Sequence, residues 1–291
     1  MNLKSAQRRP GMRLQVGMLF LVSLLFLMTA AFSASAAPDA ALWPRWTKHD
    51  DRSGKSIDHS AWSKFLAVYT RTDSRGVGLV RYGNVATGDR QALDDYIMGL
   101  TRLPIGAYAR REQLAYWINL YNALTVQLIL TRYPVDSIMD IKISPGWFSV
   151  GPWGKKLVTV EGVRLSLDDI EHRILRPIWK DPRIHYGVNC ASVGCPNLRK
   201  QAYTAANVDG LLDEGAKDYI NNRRGAELIG TELYVSSIYS WFIDDFGGNY
   251  RGVIDHLKRF ALPELKGFLG RTDDVSGHRY DWSLNADKMP K

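Results

Sequence analysis

The chain has 291 residues, with 38 Lys and Arg, 30 Asp and Glu, and a formal net charge of +8. A chain of this length can bury a substantial core as one large domain or two small ones. Four of the basic residues lie in the first 36, and the remaining 34 against 30 acidic residues leave a formal charge of +4. Because no stripe rich in Lys and Arg remains, we expect no nucleic-acid partner.

Residues 1–36 have the order of a signal peptide. Basic residues without any acidic one precede an apolar run over residues 16–32, and the small residues Ala34-Ser35-Ala36 follow. An uncleaved membrane anchor is the alternative, since the apolar run is long for a signal peptide. We predict cleavage after residue 36, a periplasmic or secreted protein, and no stable membrane insertion once the segment is removed.

The next part of the chain predicts an irregular segment and two helices. Residues 37–56 mix Pro, Asp, Lys and Gly without periodicity and predict an irregular lead-in to one globular domain over residues 57–291. Apolar residues at helical spacing predict a helix from Asp58 and a second from Thr87 to near Pro104.

A third predicted helix, residues 110–131, is apolar on all sides, which is typical of a buried helix. Asn119 and Asn122 lie three residues apart and are therefore neighbours on this helix. Because buried amides must find hydrogen-bond partners, the pair has two interpretations. It ties down loop backbone, which we favour, or it lines a cleft.

Turn signals are frequent after the central helix. Residues 144–154 form an aromatic, turn-rich loop that contains Trp147 and Trp153. Glu161-Gly162 and Gly230-Thr231 each separate two short strand-like runs, and each predicts a hairpin.

One more helix carries a carboxylate on its apolar face. Ser166 and Asp169 predict a capping box that begins this helix, and Pro177 is predicted to end it. Glu171 lies among inward-facing apolar residues, where a carboxylate needs a partner. We therefore predict that Glu171 is buried and paired with a histidine, an arginine or backbone donors. His172 points about a quarter turn away.

Residues 183–196 hold both cysteines of the chain, Cys190 and Cys195. Apolar residues alternate with His185 and other small or polar residues, which predicts a strand over residues 184–188. The strand is predicted to end in a tight loop, where a scaffold commonly presents reactive groups. We predict a cleft at this loop, with His185 projecting into it.

These elements predict an α+β fold. We expect a single mixed domain with a long buried central helix, several peripheral helices and a small, mainly antiparallel sheet built from hairpins. Further helices are predicted from Asn207 and before Pro263, and residues 279–284 are predicted to form a closing strand.

Several blocks of the sequence resemble the bacterial domain-of-unknown-function family 547. The blocks are residues 116–124, 167–176, 185–196, 241–246 and 280–285. They span about residues 107–285 in the order that the family has them. The resemblance implies an exported mixed α/β domain, and it implies no activity because the family's activity is unassigned.

The first functional hypothesis is an exported, cysteine-dependent hydrolase that cleaves amide bonds in peptides or cell-wall fragments. A catalytic thiol needs a lowered pKa, a base within hydrogen-bond reach and a third group that orients the base. Cys190 and Cys195 are the candidate thiols. The candidate bases are His185 and His172, and the candidate orienting groups are Glu171, Asp244 and Asp245.

Two geometric points bear on this hypothesis. Along an extended strand, His185 and Cys190 would lie roughly 16 Å apart, so they meet only if the loop folds back. Asp245 precedes Phe246-Gly247-Gly248, where we predict that it caps a turn.

The second hypothesis is a non-catalytic periplasmic binding module with a structural Cys190–Cys195 disulfide. Its cleft would hold a peptide-like or other small ligand. The candidate cleft-lining residues are Asn119, Asn122, Trp147, Trp153 and Asp245. A metal site that uses both thiols with His185 and His172 is a third possibility, but its spacing matches no standard zinc pattern. We predict no metal and no cofactor, and the sequence makes no prediction of oligomeric state.

Overall fold

The long helix α3 (Arg110–Arg132) is the centre of the fold. From Glu112 to Leu130 every residue except Gln127 is buried. The sequence predicts this burial, because a helix that is apolar on all sides has no face suited to water.

The computed structural model describes residues 38–146 and 150–287, which belong to one unit, Ala37–Lys291. The predicted signal peptide and Trp147 lie outside the described residues. More of the described residues lie in helices than in the short strands, and the fold is α+β, as predicted. None of the described helices combines the length and the apolarity that a membrane span requires.

Three helical elements contact α3. They are α2 (Thr87–Thr101), α6 (Val208–Ile220) and a π-helical segment (Asp169–Leu175). The described helices besides α3 are α1 (Ser60–Tyr69), α2 (Thr87–Thr101), the π-helical segment (Asp169–Leu175) continued by α4 (Arg176–Trp179), α5 (Ile184–Gly187), α6 (Val208–Ile220), α7 (Ser237–Trp241), α8 (Tyr250–Phe260) and α9 (Pro263–Leu269). Short 3-10 turns connect several of them.

The described strands form three small sheets. Two are antiparallel pairs, β1 (Thr70–Thr72) with β2 (Gly78–Val80) and β3 (Val158–Val160) with β4 (Val163–Leu165). The third has the order β5 (Ala226–Ile229), β6 (Glu232–Ser236), β7 (Gly277–Arg279), with β7 parallel to β6. Both predicted hairpins are confirmed by the antiparallel pairing of β3 with β4 and of β5 with β6. Gly162 and Gly230 adopt the left-handed backbone that their turns require.

Helix α6 lies between two groups of buried apolar residues. Its first half, including Leu211 and Leu212, belongs to the group around α3. Its second half, including Tyr219 and Ile220, belongs to the group beneath β5, β6 and α8. The cysteine-containing stretch after α5 lies where these two groups meet, since Ile184 belongs to the first and Tyr186 to the second.

The predicted strand over residues 184–188 is wrong, because this segment forms helix α5. All four helix residues are buried, so apolar and polar side chains alike face protein. His185 is tolerated there because it has a carboxylate partner, Asp245. Four residues are also too few for a period of two to be told from a period of 3.6.

Two predicted boundaries also differ from the structure. Pro177 is the second residue of α4, inside a helical stretch that continues from the π-helical segment, and it does not end the helix. The last described strand is Gly277–Arg279, so within the predicted segment 279–284 Arg279 is the strand residue and Leu284 forms an isolated bridge with Ser192.

Candidate functional site

Two buried amides of α3 hold backbone near the cysteines. Asn122 donates to the carbonyl of Gly187 and accepts from the N–H of Asn189, both at 2.8 Å. Asn119 makes the same pair of bonds with Tyr203, at 2.7 and 3.0 Å. Both side chains therefore tie down loop backbone, which is the first of the two interpretations of this pair.

Arg224 fixes the far end of the cysteine loop, which we define as residues 188–197. Its guanidinium donates to the carbonyl oxygens of Val193 at 2.9 Å and Cys195 at 2.8 Å. Its other donors bond the carbonyl of Gly76 and the side chains of Asn197 and Asn222. All five acceptors are neutral oxygens, so none of them neutralises the positive charge that Arg224 places beside the loop.

The cysteine loop also rests directly on the chain near residue 281. The N–H groups of Val193 and Gly194 donate to the carbonyls of Ser283 and Asp281, both at 2.8 Å. A Cβ atom on Gly194 would lie 2.8 Å from the backbone nitrogen of Asp281, so only glycine permits this approach. Ala191 has a φ of 62°, a left-handed conformation that costs energy for a residue with a side chain.

The two thiols lie around one tyrosine hydroxyl. Tyr280 Oη is 3.1 Å from Cys190 Sγ and 3.2 Å from Cys195 Sγ. Ser192 Oγ lies 2.8 Å from the same hydroxyl and 3.3 Å from Cys190 Sγ. Cys195 Sγ also accepts a hydrogen bond from the backbone N–H of Cys190 at 3.0 Å. Both cysteines are free thiols, with Cys195 buried and Cys190 half-buried.

These contacts separate the acidities of the two thiols. Burial raises the pKa of Cys195, but hydrogen bonds from Cys190 and Tyr280 outweigh burial and lower this pKa to about 7. The hydrogen bond with Cys195 and burial together raise the pKa of Cys190 well above its ordinary value. The pair therefore loses its first proton near neutral pH and keeps the second, which the two sulfurs share.

A second group of polar side chains lies on the π-helical segment, α4, α5 and the 3-10 turn after α7. We call it the acid–base cluster, and its members are Glu171, His172, Arg176, His185 and Asp245. The Oδ2 atom of Asp245 accepts from His185 Nε2 at 2.7 Å and from Arg176 Nε at 2.5 Å. The prediction that Asp245 caps a turn is therefore wrong, because these two buried donors take its carboxylate.

The protonation states within the cluster follow from burial and charge. Burial lowers the pKa of His185 despite the neighbouring carboxylate of Asp245, which favours the neutral imidazole. Because a carboxylate only accepts, Nε2 carries the proton and Nδ1 is left with its lone pair. Glu171 Oε1 lies 3.8 Å from Nδ1. Burial raises the pKa of Glu171 to about 7, against the charge of Arg176 and the hydroxyl of Tyr121.

The π-helical segment presents Glu171 and His172. Its start is capped as predicted, with reciprocal bonds between Ser166 and Asp169 at 2.8 and 3.2 Å. Glu171 is buried, as predicted, and its Oε1 lies 3.8 Å from Nδ1 of His185. His172 Nδ1 lies 3.0 Å from a donor of Arg176. π-Helical turns occur frequently at functional sites, because they displace side chains from the regular helical positions.

The thiols and the acid–base cluster are separate hydrogen-bonded groups. In residues 38–146 and 150–287, the two sulfurs bond to each other, to Ser192, to Tyr280 and to backbone, and none of these bonds reaches an imidazole. His185 is 2% exposed and is covered by Phe242, with ring centroids 4.3 Å apart. Tyr121 interacts with both groups: burial, then the charges of Glu171 and the two cysteines, raise its pKa.

An aromatic surface adjoins the thiols through Tyr280. We call it the aromatic patch, and its half-buried members are Trp153, Trp241, Tyr280 and Trp282. Neighbouring ring centroids lie between 4.6 Å, for Tyr280 and Trp282, and 5.7 Å, for Trp153 and Trp282. Trp153 therefore lies near the thiol end of the site, whereas its predicted companion Trp147 lies outside the described residues.

Sequence reasoning missed several residues of the site. Tyr280 lies in one of the blocks that carry the resemblance, and Arg176 ends another, so membership of these blocks was a sequence signal for both residues. Arg224 had no such signal, because its partners lie between 2 and 148 residues away along the chain.

In the described part of the chain no metal centre joins the two groups, and an open surface depression is lined by other residues. Among the described residues, no three His, Cys, Asp or Glu side chains are placed to hold a metal ion. One open depression of about 580 Å³ is lined by residues 179–183 with Asp213, Arg259 and Phe260. This depression contains neither thiol, and its Arg183 is already paired with Asp181, Asp209 and Asp213.

Comparison with known proteins gives a family match over part of the chain. Residues 105–220 match the model of the family described as "Protein of unknown function, DUF547". The comparisons with curated proteins and with solved structures gave no match. The matched segment contains Glu171, His185 and both cysteines, whereas Asp245 and Tyr280 lie beyond it.

Proposed function

Because the family model that matches residues 105–220 is one of unknown function, we propose a function from the site alone. The protein is a cysteine-dependent hydrolase that cleaves an amide bond, with the thiolate of the Cys190–Cys195 pair as nucleophile. We also propose that it is exported, so that peptides or cell-wall fragments are the amides it meets. The family match itself supplies neither the activity nor the location of the protein.

The observation that carries the proposal is the set of donors on Cys195 Sγ. The backbone N–H of Cys190 and the hydroxyl of Tyr280 both point at this sulfur, at 3.0 and 3.2 Å. Hydrogen bonds to an anion are stronger than those to a neutral group, so this arrangement stabilises thiolate over thiol. A thiolate is the form of cysteine that attacks carbonyl carbon.

The reaction would begin with a charged sulfur that needs no imidazole to remove its proton. The thiolate adds to the amide carbonyl, the C–N bond breaks, and the amine leaves with one proton while a thioester remains. Cys190 is the better placed thiol for a large substrate, because it is half-buried whereas Cys195 is buried. Proton transfer between the two sulfurs puts the negative charge on either of them. Water then hydrolyses the thioester.

The amine leaving group must receive a proton, and Glu171 is the group best suited to supply it. Its pKa of about 7 leaves a large protonated fraction at neutral pH. The negative charge of Cys195 contributes to that raised pKa, which supports a position for Glu171 within electrostatic range of the thiolate. His185 Nδ1, 3.8 Å from Glu171 Oε1, is positioned to exchange the proton afterwards.

Acyl-enzyme formation tests the hydrolase directly. The purified protein is mixed with a simple activated acyl ester and with soluble muropeptides, and intact mass and released amines are measured. We expect one acyl group per chain, lost in Cys190→Ala or Cys195→Ala and retained in Ser192→Ala, which keeps both thiols. Acylation that persists in the double cysteine variant, or amide cleavage unchanged in it, would refute the proposal.

A non-catalytic binding module is the second candidate, and the aromatic patch is the observation that favours it. Trp241 and Trp282 stack with centroids 5.5 Å apart and leave half-buried faces next to Trp153. Aromatic faces of this kind bind small ligands through stacking. If the double cysteine variant binds muropeptides as tightly as the wild type and neither protein cleaves them, the binding module is the better description.

A further inference from the structure

We propose that the Cys190–Cys195 pair also catalyses thiol–disulfide exchange, reducing an accessible disulfide bond in another molecule while becoming an intramolecular disulfide itself. This activity does not depend on the hydrolase. It uses the same two sulfurs, but it requires a different substrate and no group outside the cysteine loop and Tyr280.

The placement of the two sulfurs is the first support. Both contact one oxygen, Tyr280 Oη, at 3.1 and 3.2 Å, and Cys195 Sγ also touches the backbone nitrogen of Cys190. A half-buried thiol next to a buried one gives an exposed attacking group and a protected resolving group. Exchange enzymes need this division, since the second thiol must meet the mixed disulfide before solvent thiols do.

The frame around the loop keeps the sulfurs adjacent. Asn189 donates to the carbonyl of Pro196 at 2.7 Å and accepts from the N–H of Ala191 at 2.9 Å, so the loop closes on itself. Arg224 holds the carbonyls of Val193 and Cys195 from outside. Because these bonds involve backbone rather than sulfur, they can persist while the two sulfurs form or break a covalent bond.

The second support is that, among the residues the structure describes, neither sulfur is hydrogen-bonded to an imidazole. Amide cleavage must protonate a poor leaving group, whereas exchange expels a thiolate, which is stable as an anion near neutral pH. The hydrogen bonds of the two sulfurs with Ser192, Tyr280 and backbone supply a stabilised thiolate and nothing more. This is sufficient for exchange.

The exchange balances as two successive displacements. Cys190 passes its proton to Cys195 and, as thiolate, attacks one sulfur of the substrate disulfide, whose S–S bond breaks to give a mixed disulfide and a first thiolate. Cys195 then loses its proton to that thiolate and attacks Cys190 Sγ, releasing the second thiolate, which takes a proton from water. Two electrons pass from the protein dithiol to the substrate, and one S–S bond replaces another.

The test uses oxidised glutathione and a disulfide-linked dimeric peptide as probes. The reduced protein is mixed with each probe, quenched with acid, alkylated, and analysed by intact mass over time. For the wild type we expect two released thiols, loss of both alkylatable cysteines and no retained adduct. Cys195→Ser should retain the probe as a mixed disulfide on Cys190, and Cys190→Ser should react at least several-fold more slowly. Reaction with only one of the probes would decide between small-molecule and peptide substrates.

Two tyrosine variants separate chemistry from folding. Tyr280→Phe keeps the ring but removes the hydroxyl that contacts both sulfurs, and we expect exchange to slow about tenfold, as loss of a hydrogen bond to an anion predicts. Tyr234→Phe is the matched control, because its hydroxyl bonds the exposed Glu232 and neither sulfur. An unchanged rate in Tyr280→Phe would overturn the proposal.

Two further results would also overturn it. The first is a mixed disulfide that the wild type forms but never resolves. The second is a Cys190–Cys195 disulfide that excess reduced glutathione cannot open, since that would make the bond a structural staple. Neither result depends on amide cleavage, so failure of exchange and failure of the hydrolase are distinguishable.

Discussion

The imidazole of His185 and the carboxylate of Asp245 form a 2.7 Å hydrogen bond across 60 residues of sequence. The guanidinium of Arg176 shares the same carboxylate oxygen. This contact joins the turn after α7 to α5 and α4, so it holds the family-matched segment to the chain beyond residue 220. It is therefore a structural bond for the whole site as well as the bond that fixes the tautomer of His185.

Asp245→Asn should destabilise the protein. Burial opposes ionisation, but hydrogen bonds from His185 and Arg176 outweigh it and hold the pKa of Asp245 near 2. Removing the charge leaves Arg176 buried without its carboxylate, which we expect to cost about 2 kcal/mol, less than a fully buried pair because the side chain of Asp245 is 21% exposed. Urea unfolding measures the loss. Asp244→Asn, at the exposed neighbouring position, should change stability by less than about 0.5 kcal/mol, and equal effects at both positions would contradict this account.

Glu171 should make stability fall as pH rises. Burial raises its pKa from 4.5 to about 7 in the folded protein, so between these values the folded state binds more protons than the unfolded state. Its contribution is therefore present below about pH 4.5 and is lost as pH passes 7, by about 3 kcal/mol in all. The measurement is the difference in unfolding free energy between wild type and Glu171→Gln at pH 5 and pH 8. A pH-independent difference would mean that Glu171 ionises normally.

Local pattern was enough to predict much of the fold. Helix α3 was predictable because its apolar residues surround the whole helix, and the two hairpins were predictable because Gly162 and Gly230 mark their turns. Helix α5 was not predictable in this way, since its four buried residues include His185. A buried histidine is stable only with its partner, and the partner lies far away in sequence.

The candidate site was harder to predict than the fold. Cys190 and Cys195 were candidate site residues because they are the two cysteines of the chain, and Glu171 was predicted to be buried from its position on an apolar face. Tyr280 contacts the thiols and Arg224 the backbone of their loop, from 85 and 29 residues away measured from Cys195, and local periodicity carries no information over such distances. Which group would contact the sulfurs therefore depended on tertiary packing.

Gly194→Ala should disturb the packing of the cysteine loop against the backbone of Asp281. The added Cβ would lie 2.8 and 2.9 Å from the backbone N and O of Asp281, and backbone cannot rotate away as a side chain can. We expect a loss of about 1–3 kcal/mol in unfolding free energy. Gly210→Ala in α6 is the matched control, because nothing lies within 4 Å of its Cβ position and alanine favours helix. Equal stability of the two variants would show that the loop does not need this close approach.

The mature protein should begin at Ala37. The motivation is the order of basic, apolar and small residues over positions 1–36. Intact mass of the protein recovered from an exporting host measures the amino terminus, and variants that place large residues at Ala34 and Ala36 should block processing. A retained Met1 in the wild type would mean that the segment is an anchor.

The pH dependence of thiol alkylation tests the central claim most directly. The claim is that the Cys190–Cys195 pair holds a thiolate at neutral pH, because Cys195 accepts hydrogen bonds from Cys190 and Tyr280. The rate of reaction with iodoacetamide, followed by intact mass between pH 5 and 10, should rise through a first inflection near pH 7. Tyr280→Phe should move that inflection upward by about one pH unit, and Tyr234→Phe should leave it in place. A single inflection at about 8.5 or above, as for an ordinary cysteine, would contradict the claim.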